Sequence, residues 1–224
     1  MTDAQHYVQK DIADLTADDL KGFDAVVNGF GTWSPETLPQ HSTLTEHLCS
    51  ILSGSPVRLL IVGGAGSLFV DKEHTTTLME TPDFPDDYKP VAGAMGQALT
   101  GLRRHDDVNW TYVSPAADFR ADGERTGKYI LAGEEFTLNG KGESIISYAD
   151  YAIAMVDEIE KGNHIKQRIS VVEDIRNFHR KSFHDFSWKL FCVCAYASAV
   201  SVISRAKATG VVGFFVVHKD RLIA

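Results

Sequence analysis

Residues 57–70, VRLLIVGGAGSLFV, are the part of this chain best suited to binding a ligand. Their apolar first half predicts a strand buried on both faces, and this strand ends at Gly63 and Gly64. Glycines there let the backbone approach a ligand closely, and open α/β sheets place their sites at the carboxyl ends of strands. The sequence therefore predicts a ligand site directly after this strand.

Two kinds of chemistry are not expected from the residue spacing. A tyrosine four residues before a lysine can pass a proton, because the lysine lowers the pKa of the phenol. No tyrosine here has that partner; Tyr88, for example, has Ala92 in the lysine position. The nine histidines show no paired spacing, and Cys49, Cys192 and Cys194 form no CxxC motif. We therefore expect neither alcohol oxidation by a tyrosine–lysine pair nor a metal site.

Composition limits the class of protein. The 224 residues suffice for one large α/β domain, and the 44% hydrophobic and 23% charged residues are ordinary for a globular protein. The net charge of −8 argues against a nucleic-acid partner. The N-terminal region is rich in aspartate and lacks an apolar run, so we expect no signal peptide and a reducing, cytoplasmic location. Residues 190–203 are apolar but shorter than the roughly 20 residues that span a bilayer, so we expect no membrane association.

Hydrophobic periodicity alternates between strand-like and helix-like segments. Strands are predicted at residues 7–12, 23–30, 57–62, 109–113 and 168–172. Amphipathic helices are predicted at residues 41–52, 91–104 and 148–160. Residues 128–131 and 135–138 are predicted to form a hairpin. Alternating strands and helices indicate an α/β fold with a mostly parallel sheet.

Several motifs, taken in order, resemble one known family. They are Asp11, the strand end NGFG at residues 28–31, the turn GGAGSL, the strand NWTYVSP, and the block GERTGKY…SIISYADYAIAMVDEIE. Together they resemble the atypical short-chain dehydrogenase/reductases of the NAD(P)H-binding, NADH-flavin reductase type, which are akin to NmrA-like and biliverdin-reductase-B-like proteins. The resemblance covers residues 7–172 and implies a Rossmann-like sheet flanked by helices.

The resemblance also implies an NAD(P)H cofactor and roles for particular residues. Two residues are candidates for catalysis: Ser67, as a hydrogen-bond donor to substrate or carboxamide, and Tyr88, facing the substrate. The residues implied in cofactor binding are Asp11 at the adenine amine, Asn28, Gly29, Phe30 and Gly31 at the ribose and phosphates, Gly63 and Gly64 at the turn, and Ser114 and Pro115 at the nicotinamide. Each has a structural alternative, such as a turn serine, a solvated aspartate or a proline that ends a strand.

The sequence departs from the family pattern at both ends. Family members begin with a βαβ unit whose GxxGxxG turn binds pyrophosphate, whereas this sequence opens at the third strand of that pattern. We therefore expect an N-terminally truncated domain over residues 1–172, a dissociation constant for NAD(P)H on the order of 1 mM, and no readable choice between NAD and NADP. Residues 173–224 form an extension that the family lacks.

The extension has its own expectations. Residues 214–217 are predicted as a strand and residues 190–203 as a helix, and a displaced phosphate turn at residues 208–213 is an alternative. Without the first strands the sheet has an unpaired edge, which is an aggregation hazard. We expect the extension, or a second subunit in a homodimer, to cover it.

The resemblance implies hydride transfer from the nicotinamide to a flavin or a similar small-molecule acceptor. A flavin takes hydride with little need for a protein acid, which agrees with the absent tyrosine–lysine pair. The alternative function is a non-catalytic dinucleotide sensor of the NmrA-like kind, or an inactive relative.

Overall fold

The computed structural model describes residues 10–175 and two further strands at residues 214–218 and 221–223. The helices are α1 (Gln40–Leu52), α2 (Lys89–Leu102) and α3 (Tyr148–Lys161). The strands are β1 (Ala25–Asn28), β2 (Arg58–Val62), β3 (Asn109–Ser114), β4 (Asp118–Arg120), β5 (Tyr129–Ala132), β6 (Ile145–Ser147), β7 (Gln167–Glu173), β8 (Phe214–His218) and β9 (Arg221–Ile223). All three predicted helices are confirmed, and so are the predicted strands that correspond to β1, β2, β3 and β7. Their observed ends differ from the predicted ends by a few residues.

Seven of the described strands form one sheet, in the order β5-β7-β3-β2-β1-β8-β9. Strands β1, β2, β3 and β7 are parallel, with Val26 opposite Leu59 and Tyr112 opposite Arg168. Strand β5 adds to β7 and strand β8 adds to β1, both antiparallel. Strands β4 and β6 form a separate parallel pair. The mostly parallel sheet confirms the α/β prediction.

Helices cover both faces of the sheet because successive residues of a buried strand point to opposite sides. In β2, Leu59 joins the core that contains Leu48 of α1 and Leu99 of α2. The next residue, Leu60, joins a second core that contains Met155 of α3. The fold is therefore Rossmann-like, and the carboxyl ends of β1, β2 and β3 lie together at one edge.

The predicted strand at residues 7–12 is wrong where the structure describes it. Residues 7–9 lie outside the described residues, and Ile12–Asp14 form a 3-10 helix. The Asp11 carboxylate accepts a hydrogen bond from Ala13 N (2.9 Å), which starts this helix. The helix buries Ile12 in the first core, so a local cap replaces the extended conformation suggested by the pattern.

The predicted hairpin of residues 128–131 with residues 135–138 is also wrong. Strand β5 pairs instead with β7, and Tyr129 lies opposite Glu173. In residues 135–138, Glu135 forms one isolated β-bridge with Phe69. A two-stranded hairpin has little stability of its own, whereas the edge of the large sheet lets Tyr129 pack on the second core.

The extension contributes strands to the main sheet. Residues 214–218 form β8, which confirms the predicted strand, and Val216 lies opposite Val26 of β1. The expectation that the extension covers the unpaired edge strand of the sheet is therefore confirmed, since β8 pairs with β1. The segments predicted as a helix and as a displaced phosphate turn lie outside the described residues. None of the described helices is long and apolar enough to cross a bilayer.

Candidate functional site

A pocket opens at the carboxyl edge of β1 and β2, beside α1 and α2. Its lining residues are Asn28, Phe30, His41, Thr45, Ile61, Val62, Met95, Ala98 and Tyr112. This is the edge at which open parallel sheets bind ligands. Two of the predicted cofactor residues, Asn28 and Phe30, therefore line a pocket at the predicted place.

The end of β1 is shaped by a local turn. Asn28 is buried, and its Oδ1 accepts a hydrogen bond from Phe30 N (3.0 Å), which turns the chain out of the strand. The Phe30 ring packs edge-on against His41, with 5.0 Å between ring centroids. Burial lowers the pKa of His41, so this wall of the pocket is uncharged at neutral pH. Gly31 is exposed, and a Cβ there would contact nothing.

The glycine turn after β2 lies against a buried tyrosine. A Cβ at Gly63 would be 2.2 Å from Cε1 of Tyr112, and one at Gly64 would be 3.0 Å from Sδ of Met95. Gly64 N donates a hydrogen bond to the Tyr112 hydroxyl (3.3 Å). Burial raises the pKa of Tyr112 to about 12, so the phenol stays neutral. Packing therefore requires that residue 63 have no side chain, a role of Gly63 that the sequence did not indicate.

Ser67 is held by a buried arginine. Arg168 Nη1 donates a hydrogen bond to Ser67 Oγ (2.9 Å), and its Nε donates to Glu134 Oε2 (2.8 Å). Arg103 Nη2 donates to both oxygens of the same carboxylate, each at 2.7 Å. The Arg168 guanidinium also lies 5.8 Å from the centre of the Phe69 ring. Sequence reasoning missed this cluster, and the one signal for it was an arginine inside the buried strand RISVV.

The end of β3 and the middle of β7 each supply one buried hydroxyl group. Ser114 and Ser170 are opposite each other in the β3–β7 register and are almost fully buried. Neither Oγ has a hydrogen-bond partner in the part of the chain that the structure describes. Tyr112 and Arg168 are the register pair two residues earlier, so these four residues share one face of the sheet. Pro115, buried directly after β3, ends the strand.

Two exposed aromatic residues pack together near this edge, Trp33 in a loop and Tyr88 at the end of the 3-10 helix Asp86–Tyr88. Trp33 follows β1 and Tyr88 precedes α2, and their rings meet edge to face at a centroid distance of 5.4 Å. Trp33 is 66% and Tyr88 50% exposed. Asp11 caps its own 3-10 helix and lines no part of the pocket. The structure thus brings Asn28 and Phe30 to the pocket and sets the glycine turn against Tyr112, which also lines it. Ser67, Tyr88 and Ser114 do not line this pocket. Trp33, which packs on Tyr88, and Arg168, which bonds to Ser67, were not suggested by the sequence.

Comparisons with known proteins agree with this architecture. No protein-family model matches the chain. The chain is 48% identical over 168 residues to YwnB, an uncharacterized protein of Bacillus subtilis, covering 75% of this chain and 78% of the relative. It is 56% identical to a putative NADH-flavin reductase from Streptococcus pneumoniae, with a TM-score of 0.75 over 77% of this chain and 82% of that one. It is 32% identical to a putative epimerase from Bacteroides thetaiotaomicron, with a TM-score of 0.64 over 75% and 76%.

The parallel sheet, with helices on both faces and a glycine turn after β2, defines a Rossmann-like protein. The sequence identities of 48% and 56%, each over more than three quarters of the relative, identify the family within this class. The chain belongs to the atypical short-chain dehydrogenase/reductases of the NADH-flavin reductase type.

Proposed function

We propose that this protein is an NAD(P)H-dependent oxidoreductase that passes hydride to a flavin or a similar planar acceptor. The observation that carries the proposal is the Arg168–Ser67 hydrogen bond beside the glycine turn, which places a polarised hydroxyl at the ligand edge of the sheet. The Streptococcus pneumoniae relative, a putative NADH-flavin reductase, supports the reaction class.

The residues present fit the nicotinamide half of the cofactor. Ser114 Oγ is a buried polar atom that lacks a partner among the described residues, and such atoms normally have one. Ser67 and Ser114 would hold the carboxamide end, and Asn28 and the open Gly31 would border the ribose and phosphates. When bound, the reduced nicotinamide supplies a hydride, and the acceptor takes this hydride and one proton from solvent.

The described residues fit the pyrophosphate of the cofactor less well than its nicotinamide. Within residues 10–175, no glycine-rich turn leads from a strand directly into a helix. Such a turn places the pyrophosphate at a helix N-terminus and supplies much of the dinucleotide affinity. We therefore propose weak cofactor binding, with a dissociation constant on the order of 1 mM.

The aromatic pair favours a planar acceptor. Trp33 and Tyr88 form an exposed aromatic pair on which a flat heterocycle can stack. Tyr88 has no lysine partner, and Tyr112 stays neutral, so neither is suited to pass a proton at neutral pH. An acceptor that needs no protein acid, such as a flavin, is the best match.

An anaerobic turnover assay tests the proposal. The purified full chain is mixed with NADH or NADPH and either flavin mononucleotide or a simple alcohol–aldehyde pair, and the absorbance of the reduced nicotinamide is followed. We expect flavin-dependent loss of that absorbance and no reaction with the alcohol–aldehyde pair. Carbonyl reduction without flavin reduction would contradict the proposed acceptor class.

A dinucleotide sensor is the second candidate, and the uncharged pocket lining favours it. Burial lowers the pKa of His41 and the other lining side chains carry no charge, so the pocket offers no charged group to a reaction at neutral pH. A sensor binds the cofactor and leaves it reduced with every acceptor. Cofactor binding by calorimetry, combined with no oxidation in the assay above, would favour the sensor.

A further inference from the structure

We propose that Arg168 is a positioning residue that fixes Ser67 as a hydrogen-bond donor, so that the site selects an acceptor group on which negative charge develops. The proposal rests on the proposed function, because Ser67 is a candidate catalytic residue of that reaction. It adds the residue that orients Ser67 and the kind of ligand group that Ser67 recognises.

The hydrogen bond between Arg168 and Ser67 has a fixed direction. A guanidinium can only donate, whereas a serine hydroxyl can donate and accept. Since Arg168 Nη1 donates to Ser67 Oγ at 2.9 Å, the serine uses a lone pair there, and its own hydrogen must point elsewhere. No acceptor for this hydrogen is found among the residues that the structure describes. Ser67 is therefore free to donate to a ligand.

The Arg168 side chain is held in place by its neighbours. The Arg168 side chain is 1% exposed, and Glu134 accepts hydrogen bonds from its Nε and Nη2. The Phe69 ring lies close to the guanidinium. The planar guanidinium group, held by Glu134, cannot turn away from Ser67 without breaking a partly buried ion pair. The direction of the Ser67 hydroxyl is thus set by the core and not by solvent.

Arg168 is the charged group that bonds directly to Ser67. Glu134 is shared between Arg168 and Arg103, and the Glu135 carboxylate also interacts electrostatically with Arg168. Arginine stays charged at neutral pH even when it is buried. In a partly buried site this charge polarises the Ser67 hydroxyl and stabilises negative charge on its partner. A carbonyl oxygen or ring nitrogen of a planar acceptor that is being reduced fits; an ammonium group does not.

A double-mutant cycle separates positioning from simple structural support. The four proteins are the wild type, Ser67→Ala, Arg168→Lys and the double variant. Arg104→Met serves as a control that removes an exposed arginine from the turn after α2. Single-turnover hydride transfer to flavin mononucleotide and the dissociation constant of flavin mononucleotide are measured for each, with melting temperature as the folding check. Lysine keeps the positive charge opposite Glu134 but lacks the planar guanidinium group. Because the ion pair can still form, this variant should fold more readily than one with an apolar residue.

We expect Arg168→Lys to slow hydride transfer about tenfold when Ser67 is present and less than about twofold in the Ser67→Ala background. Arg104→Met should leave the rate unchanged. Equal slowing in both backgrounds would overturn the proposal, because Arg168 would then not act through Ser67.

The measurement of flavin mononucleotide binding tests the role of Arg168 even if the proposed function fails. If the wild type transfers no hydride to any acceptor, the proposed function fails, and the Arg168 proposal is decided by binding. We then expect Arg168→Lys to weaken flavin mononucleotide binding only when Ser67 is present. Additive weakening, an unchanged dissociation constant, or no flavin binding by the wild type would overturn it.

Discussion

Gly63 lies directly against the ring of Tyr112, so that a Cβ on Gly63 would be 2.2 Å from Cε1 of that ring. The contact joins the turn after β2 to a fully buried side chain of β3. Gly64 N then donates a hydrogen bond to the same tyrosine's hydroxyl. The turn that we assign to the ligand site is therefore held in place by the core of the sheet.

Replacing Gly63 tests this relationship. Gly63→Ala should destabilise the protein by about 1–3 kcal/mol, because the added methyl group overpacks a rigid core. Gly93→Ala in α2 is the matched control: its Cβ meets nothing, and alanine favours a helix by about 0.5–1 kcal/mol, so stability should rise. Urea unfolding measures both. Gly63→Ala unfolding at the same urea concentration as the wild type would disprove the packing role.

The buried ion pair between Arg58 and Glu158 makes stability depend on pH. Burial raises the pKa of Glu158, but hydrogen bonds from His164 and Arg58 lower it more, so the net pKa lies below its usual value of 4.5. A carboxyl whose pKa is lower in the folded state stabilises the fold above its unfolded pKa and loses that contribution as the pH falls. We therefore expect this contribution to be complete above the usual glutamate pKa of 4.5 and to be lost as the pH falls through the lowered pKa of Glu158.

Glu158→Gln should remove this pH dependence and destabilise the protein by about 3–5 kcal/mol at neutral pH, since Arg58 is left buried without its counter-ion. Glu124→Gln, which changes an exposed glutamate, is the control and should behave like the wild type. Chemical unfolding at neutral and acid pH gives the comparison. A variant that loses stability in acid in parallel with the wild type would show that Glu158 is not the group responsible.

Strand β8 protects the edge of β1. Deleting residues 214–224 removes the pairing of β8 with β1 and exposes a buried strand to other molecules. We expect a lower melting temperature and concentration-dependent aggregation, measured by calorimetry and light scattering. An unchanged melting temperature and a monodisperse sample would mean that the edge is protected in another way.

Ser67→Ala tests the candidate catalytic hydroxyl. Loss of one hydrogen bond that strengthens during the reaction should slow hydride transfer about tenfold, or about 1.4 kcal/mol. The melting temperature should change little, because Ser67 is only half-buried. An unchanged single-turnover rate would leave Ser67 with a structural role in its turn.

The sequence predicted those elements whose hydrophobic pattern is local and strong. Strand β2 is a continuous apolar run, and α3 has regular apolar spacing, so both were found. Pairing between distant segments could not be predicted from local patterns. Strand β5 pairs with β7 and not with the segment that follows it in the sequence. The same limit applies to the site, because Arg168 and Ser67 are 101 residues apart and only the folded sheet brings them together.

The most direct test of the account is a single-turnover experiment with reduced cofactor that carries deuterium at the transferred position of the nicotinamide. The full chain is mixed anaerobically with this cofactor and flavin mononucleotide, and both absorbance changes are followed. We predict that the nicotinamide is oxidised and the flavin reduced at one shared rate, which deuterium lowers. Flavin that stays oxidised while the cofactor is bound would contradict hydride transfer and leave this protein as a dinucleotide sensor.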